Sequence, residues 1–460
     1  MSTLLIKNAT IVNEHRQFVG SILVTEGRIS SVTDGFNENI GGKQPMPDRV
    51  VDAEGLLCLP GIIDDQVHFR EPGLTHKGDI ESESLAAIMG GVTSYMEMPN
   101  TLPQTTTMEA WEDKMERARR RSHANYSFYM GATNDNIHVL SEMDLRHTPG
   151  LKVFMGSSTG NMLVDNEETL RRIFQECPII VAIHSESEEV IRANRARIVA
   201  QYGEDPDISL HPVIRDERAC YESTLKAVNL AKETGCRLHI LHLSTAKELT
   251  LLDGVTPLNE KNITAEVCVH HLWFDDESYR SLGSRVKWNP AVKSREDRDA
   301  LREAVHKGLV DVIATDHAPH LLSEKSGGAL KAASGGPLVE HSLPMMLELA
   351  SQGVFTVEEV VDFMCHRPAT LFGVVDRGFI REGYLADLVL VDPNRPWVLD
   401  QSTIHSKCGW SPLEGVIFQN RVVMTILNGN IVVENGRVIG GIGAAQPLEF
   451  NHRTRKQSAL

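Results

Sequence analysis

Residues able to bind a metal or move a proton recur at one kind of place in this chain, just after or within apolar, β-rich runs. His68 and Arg70 follow the first run, in D-Q-V-H-F-R-E-P-G. The second run ends at Pro99-Asn100, the fourth contains Lys152, the fifth ends at His184 and the sixth at His242. The seventh leads into His270-His271, and the eighth into T-D-H-A-P-H, with Asp316 and His320. Imidazole and carboxylate together suit zinc or a similar divalent ion, and the lack of Cys ligands points to a catalytic rather than a closed structural site.

Taken singly, each residue has an ordinary explanation. A strand-end His is commonly a satisfied core residue, a lone Asp after a strand is a helix cap, and Asn100 before Thr101 reads as a turn. Lys152, among Leu151, Val153 and Phe154, could be a strand-edge lysine reaching water. Convergence argues otherwise. If the runs are the parallel strands of a barrel, all these positions meet on the rim where such barrels carry their active sites. Beside metal ions a protonated Lys152 would be repelled and would lose its proton. A neutral lysine can react with carbon dioxide to form a carbamate, an anionic bridge with two oxygens.

The elements that would position these groups follow from the pattern. β-rich runs occur at 61–67, 92–98, 126–131, 151–155, 179–183, 237–241, 263–267 and 310–315. Helix-like segments lie between them, such as 216–234, ended by Gly235, and 294–307, ended by Gly308. Repeated strand-plus-helix units predict an α/β fold with a parallel (β/α)8 barrel, and a doubly wound sheet is the alternative. Short strands with Gly, Asn and Asp turns fill both ends of the chain. They predict one small β-sandwich domain built from residues 1–57 and 376–460, with the barrel at 58–375. The stretch 323–337, SEKSGGALKAASGGP, has the composition of a mobile loop or a plain linker.

Composition narrows the function. The formal net charge is -16 over 460 residues, which disfavours nucleic acid as a partner. An anionic substrate would need a cationic group inside the site. The chain has 7 cysteines, with no C-x-x-C pair, which fits a reducing compartment. No apolar run approaches the ~20 residues of a membrane span. A cytoplasmic enzyme with a small-molecule substrate and no membrane partner is expected.

Several motifs resemble those of the cyclic amidohydrolases, the dihydroorotases of pyrimidine synthesis in particular. They include H-F-R-E-P-G, M-P-N-T, G-L-K-V-F, A-I-H-S-E, L-H-L-S, A-E-V-C-V-H-H-L, W-N-P-A, A-T-D-H-A-P-H and G-Y-L-A-D-L-V-L. The resemblance implies that His68, Lys152, His184, His242 and Asp316 hold one or two Zn2+ ions bridged by a carboxylated Lys152. It also implies that Asp316 is the catalytic base and that Arg70, Asn100, Asn289 and His320 bind the substrate. That substrate would be dihydroorotate, opened reversibly to N-carbamoyl-aspartate. A homo-oligomer, a dimer, is expected. One position departs from the family pattern, since Gln66 stands where a ligating His precedes His68 by two residues. An amide oxygen is a weaker zinc ligand than imidazole. An inactive homologue serving as structural partner of another pyrimidine enzyme is therefore an alternative, as is an allantoinase or hydantoinase.

Overall fold

The computed structural model describes residues 3–35, 47–156 and 161–453. Parts of the two segments expected to form the β-domain, at 1–2, 36–46 and 454–460, lie outside the described residues.

The middle of the chain is a barrel. Ile62–Val67, Val92–Glu97 and Asn125–Phe128 pair in parallel, and Met130–Gly131 continues the third strand onto Gly150–Phe154. Ile180–His184, Leu238–Ile240, Ile263–Cys268 and Val312–Ala314 follow in parallel order. The ring closes where Val67 bridges His317 and the His68 N–H donates to the His317 carbonyl at 2.7 Å. Every barrel strand is wholly or almost wholly buried, which explains why these runs read as nearly continuous apolar stretches rather than alternating ones.

The helices begin and end where their caps dictate. Glu217–Thr234 starts at Asp216, whose carboxylate accepts from the Ala219 N–H, and stops at Gly235 with φ of 68°, a left-handed conformation that favours glycine. Arg295–His306 is capped by Ser294 in the same way. The helices pack on the barrel's outer face in the largest apolar cluster. A separate cluster joins Ile63, Met96, Tyr129, Ile180 and Val312. These come from strands that are not all neighbours, so they can touch only through the barrel's interior.

Strands from both ends of the chain share one nine-stranded sheet. Leu57–Pro60 is its junction, running parallel to Thr3–Asn13 on one side and antiparallel to Leu388–Asp392 on the other. Its buried face gathers Leu4, Ile6, Ile22, Leu388 and Ile426. No described helix is long and apolar enough to cross a membrane.

Candidate active site

A cavity of about 460 Å³ opens at the C-terminal rim of the barrel. Its lining includes Gln66, His68, Arg70, Asn100, Lys152, His184, His242, Asn289, Asp316 and His320, so the structure brings together the residues expected to hold metal or substrate, while His270 and His271 do not line the cavity. Three of them, Arg70, His242 and Asp316, have φ of 70°, 42° and 46°. Non-glycine residues seldom adopt this left-handed conformation, and it clusters at functional sites where the surrounding fold enforces it.

The hydrogen bonds fix how each imidazole presents itself. His68 Nδ1 lies 2.7 Å from Asn100 Oδ1. An amide oxygen can only accept, so Nδ1 carries the proton and the Nε2 lone pair points to Asp316 Oδ1, 3.0 Å away. His184 Nε2 meets Glu186 Oε2 at 2.8 Å, which leaves Nδ1 as the acceptor facing His242 Nε2 at 3.0 Å. Burial pushes the pKa of His68 and of His184 down and that of His242 well down, which favours neutral, ligating imidazoles. Glu186 behaves oppositely. Burial opposes its ionisation, but Arg215 and His184 together hold its carboxyl well below the usual range.

Lys152 is fully buried, so the alternative of a strand-edge lysine reaching water does not hold. No hydrogen bond or ion pair to its ammonium occurs among the described residues; Nζ lies 4.7 Å over the Phe154 ring. Burial brings its pKa down to about 7, so a substantial fraction is neutral amine at physiological pH. Gln66 donates from Nε2 to Asp316 Oδ1 at 3.1 Å, while its buried Oε1 has no partner among the described residues. A lone pair aimed at a carboxylate, two facing imidazoles, an orphaned amide oxygen and an unpaired lysine make a set that suits a divalent cation.

The other wall is cationic. Arg70 donates from Nε to the Pro319 carbonyl at 3.1 Å, and its Nη2 lies 3.1 Å from His320 Nε2. On the far side of that ring, Nδ1 is 3.2 Å from Lys77 Nζ, which also pairs with Glu324 at 3.2 Å. Burial first, then Arg70 and Lys77, drive the His320 pKa far down, so this ring is neutral. Asn289 Oδ1 is buried without a partner among the described residues.

Sequence reasoning missed Lys77, Glu186 and Lys325. Glu186 was within reach, two residues after His184 in A-I-H-S-E; no spacing signal marked the two lysines. The 323–337 segment is a built wall of the cavity rather than a loosely tethered loop. Lys325 Nζ donates to the carbonyls of Ala333 at 2.8 Å, Gly335 at 2.7 Å and Lys287 at 3.2 Å. Gly335, with φ of 124°, leaves no room for a side chain, since a Cβ there would meet the Ala318 carbonyl at 2.5 Å. Two further buried groups of ligand-type side chains come together among the described residues, Cys268 with His270 and His271, and Asp65 with His239 and Glu266.

Residues 57–432 match the Amidohydrolase family, and the chain belongs to that family. A dihydroorotase of Methanosarcina acetivorans is 33% identical over 423 residues, 89% of this chain and 88% of that one. An allantoinase of Rubrobacter xylanophilus is 32% identical over 451 residues, 95% of this chain and 96% of that one. Among solved structures, the L-hydantoinase (dihydropyrimidinase) from Arthrobacter aurescens superposes with a TM-score of 0.90 at 29% identity, covering 98% of this chain and 100% of that one. The chain is thus a cyclic amidohydrolase by family and fold, and its relatives carry different names, dihydroorotase, allantoinase and L-hydantoinase among them.

Proposed function

We propose that this protein is a zinc-dependent dihydroorotase, which opens the cyclic amide of dihydroorotate to N-carbamoyl-aspartate and closes it again in pyrimidine synthesis. The observation that carries this choice among ring substrates is the buried Arg70 guanidinium in the same cavity as His68 and Asp316. Its planar fork matches a carboxylate, the group that dihydroorotate has and a neutral hydantoin lacks.

His68 and Asp316 would hold one ion, with Gln66 as a weak third donor. His184 and His242 would hold the other, with Lys152 between the two as a carbamate. That modification joins the neutral lysine nitrogen to the carbon of carbon dioxide and releases one proton. When bound, zinc lowers the pKa of a water and polarises the ring carbonyl.

The chain's own residues do the rest. Asp316 takes a proton from the attacking water and delivers it to the ring nitrogen as the amide C–N bond breaks, so one group serves as base and then as acid. Arg70, Asn289 and His320 seat the substrate carboxylate, with the Asn100 amide nitrogen beside them. Asn100 also holds His68 in one tautomer. Holding the ring against the water replaces a chance encounter and lowers the entropic barrier. Ala333, Ser334 and Gly335 line the cavity and limit bulk water there.

The test is a substrate panel of dihydroorotate, allantoin, hydantoin and dihydrouracil on the zinc-loaded protein. Turnover of dihydroorotate well above the others is expected. Turnover of a neutral ring with none of dihydroorotate would overturn the assignment. One observation favours a second reading. Gln66 replaces an expected imidazole and hydrogen-bonds Asp316 itself, which would suit a homologue kept for assembly with another enzyme. A fully metal-loaded protein inactive on the whole panel would favour that reading.

A further inference from the structure

Beneath the candidate active site, the barrel's interior holds a second set of ligand-type side chains that the proposed reaction does not use. Asp65 belongs to the first barrel strand, His239 to the sixth and Glu266 to the seventh. The first strand is no neighbour of the sixth or seventh, so these side chains meet across the barrel's centre. All three are completely buried. Asp65 sits where the register of Ile62–Val67 against Val92–Glu97 slips, between Asp64 and Val67. Such an irregularity re-aims side chains.

The hydrogen bonds leave the facing atoms free. Thr264 Oγ1 donates to the Leu238 carbonyl at 3.3 Å, so toward His239 Nδ1, 2.9 Å away, it is the acceptor. Nδ1 therefore carries a proton, and Nε2 is the atom that faces two carboxylates. Glu266 Oε1 accepts from the His242 N–H at 2.8 Å and from Cys268 Sγ at 3.6 Å, which leaves Oε2. Among the described residues, both Asp65 oxygens, Glu266 Oε2 and His239 Nε2 have no hydrogen-bond partner, and neither has the buried Tyr129 hydroxyl.

Distance decides what belongs between them. His239 Nε2 is 3.4 Å from Asp65 Oδ2 and 3.7 Å from Glu266 Oε2. An N–H···O bond spans about 2.7–3.2 Å, so both gaps are too long. Donors around an ion at roughly 2.1 Å in tetrahedral geometry stand about 3.4 Å apart. Two carboxylates facing an imidazole nitrogen, in a medium that excludes water, need a positive charge at their centre.

We propose that Asp65, His239 and Glu266 bind a divalent transition-metal ion inside the barrel, at a site separate from the rim. Two carboxylates and one imidazole without thiolate suit zinc, manganese or iron(II) rather than calcium or magnesium. Thr264 fixes the imidazole as outer partners of metal-bound histidines do. Through Glu266 the ion steadies the backbone N–H of His242, whose φ of 42° needs enforcement. The site thus positions a rim residue without touching substrate.

The proposal is independent of the ring the enzyme opens. Its test is metal content by mass spectrometry after loading the full chain with Zn2+ and removing the excess. A Lys152→Ala/His184→Ala protein, damaged only at the rim, should keep about one equivalent, and adding Asp65→Asn should remove it. Asp65→Asn alone should hold one equivalent less than the parent chain. A folded rim-damaged protein that keeps no zinc, or an Asp65→Asn protein with the parent's content, overturns the proposal. If the variants do not fold, anomalous diffraction at the zinc edge on the unmodified protein decides. A peak between the three side chains supports the site. A crystal without that peak means that a proton on His239 neutralises the carboxylates, and the proposal falls.

Discussion

Gln66 and Asp316 are joined by a hydrogen bond from the amide Nε2 to Oδ1 at 3.1 Å, and that same oxygen lies 3.0 Å from His68 Nε2. The residue that departs from the family pattern therefore contacts the group proposed as base. An amide can donate here, whereas an imidazole ligand would offer a lone pair to the ion instead.

The ion beside Gln66 should be held more weakly than the one beside His184 and His242, with partial occupancy in the native protein. Turnover should survive, since one ion can both activate water and polarise a carbonyl. Titrating the metal-free chain with zinc should give one tight and one weaker rim event, and Gln66→His should tighten the weaker. Two equally tight rim ions in the native chain would refute this.

Lys152→Ala should lose rim metal and activity together. Short carboxylic acids such as acetate or propionate should restore part of both, because they supply the missing two-oxygen bridge. A variant with full rim metal and normal turnover would remove Lys152 from the site.

Arg70→Met should raise the KM for dihydroorotate more than it lowers kcat. Loss of one charge-assisted contact to the carboxylate should cost roughly 1.5–3 kcal/mol in kcat/KM. Unchanged kinetics would strip the substrate assignment of its main support.

Lys325→Met should loosen the cavity wall. The three carbonyls that its ammonium serves are those of Lys287, Ala333 and Gly335. Leaving them underserved should cost about 1–3 kcal/mol of stability and raise KM, because Ala333 and Gly335 line the cavity. Denaturant unfolding and steady-state kinetics on the same preparation would show it. A variant unchanged in both would mean that the wall does not depend on this lysine.

How much of this was legible depended on whether a signal was local. The barrel strands were visible because parallel strands buried on both faces make short, nearly continuous apolar runs, as at Val92–Glu97 and Ile180–His184. Helix limits at Asp216 and Gly235 were visible because capping is chemistry between near neighbours. The rim residues could be read because strand ends in a barrel share one face. How the 323–337 loop is anchored was not legible, because its anchors are backbone carbonyls and one buried lysine, and composition reports neither. Asp65, His239 and Glu266 stayed hidden for another reason. They meet across the barrel's centre, and no spacing along the chain encodes that meeting.

The junction strand Leu57–Pro60 has a consequence for how the protein is made. One of its edges is satisfied by Thr3–Asn13 almost at once, but the other pairs only with Leu388–Asp392, which the ribosome delivers after the entire barrel. At about 5–20 residues per second, that edge stays open for on the order of tens of seconds. An open, apolar strand edge is a template for wrong partners. Until its C-terminal strands arrive, the nascent chain is therefore the form most exposed to aggregation, and the one most in need of a chaperone.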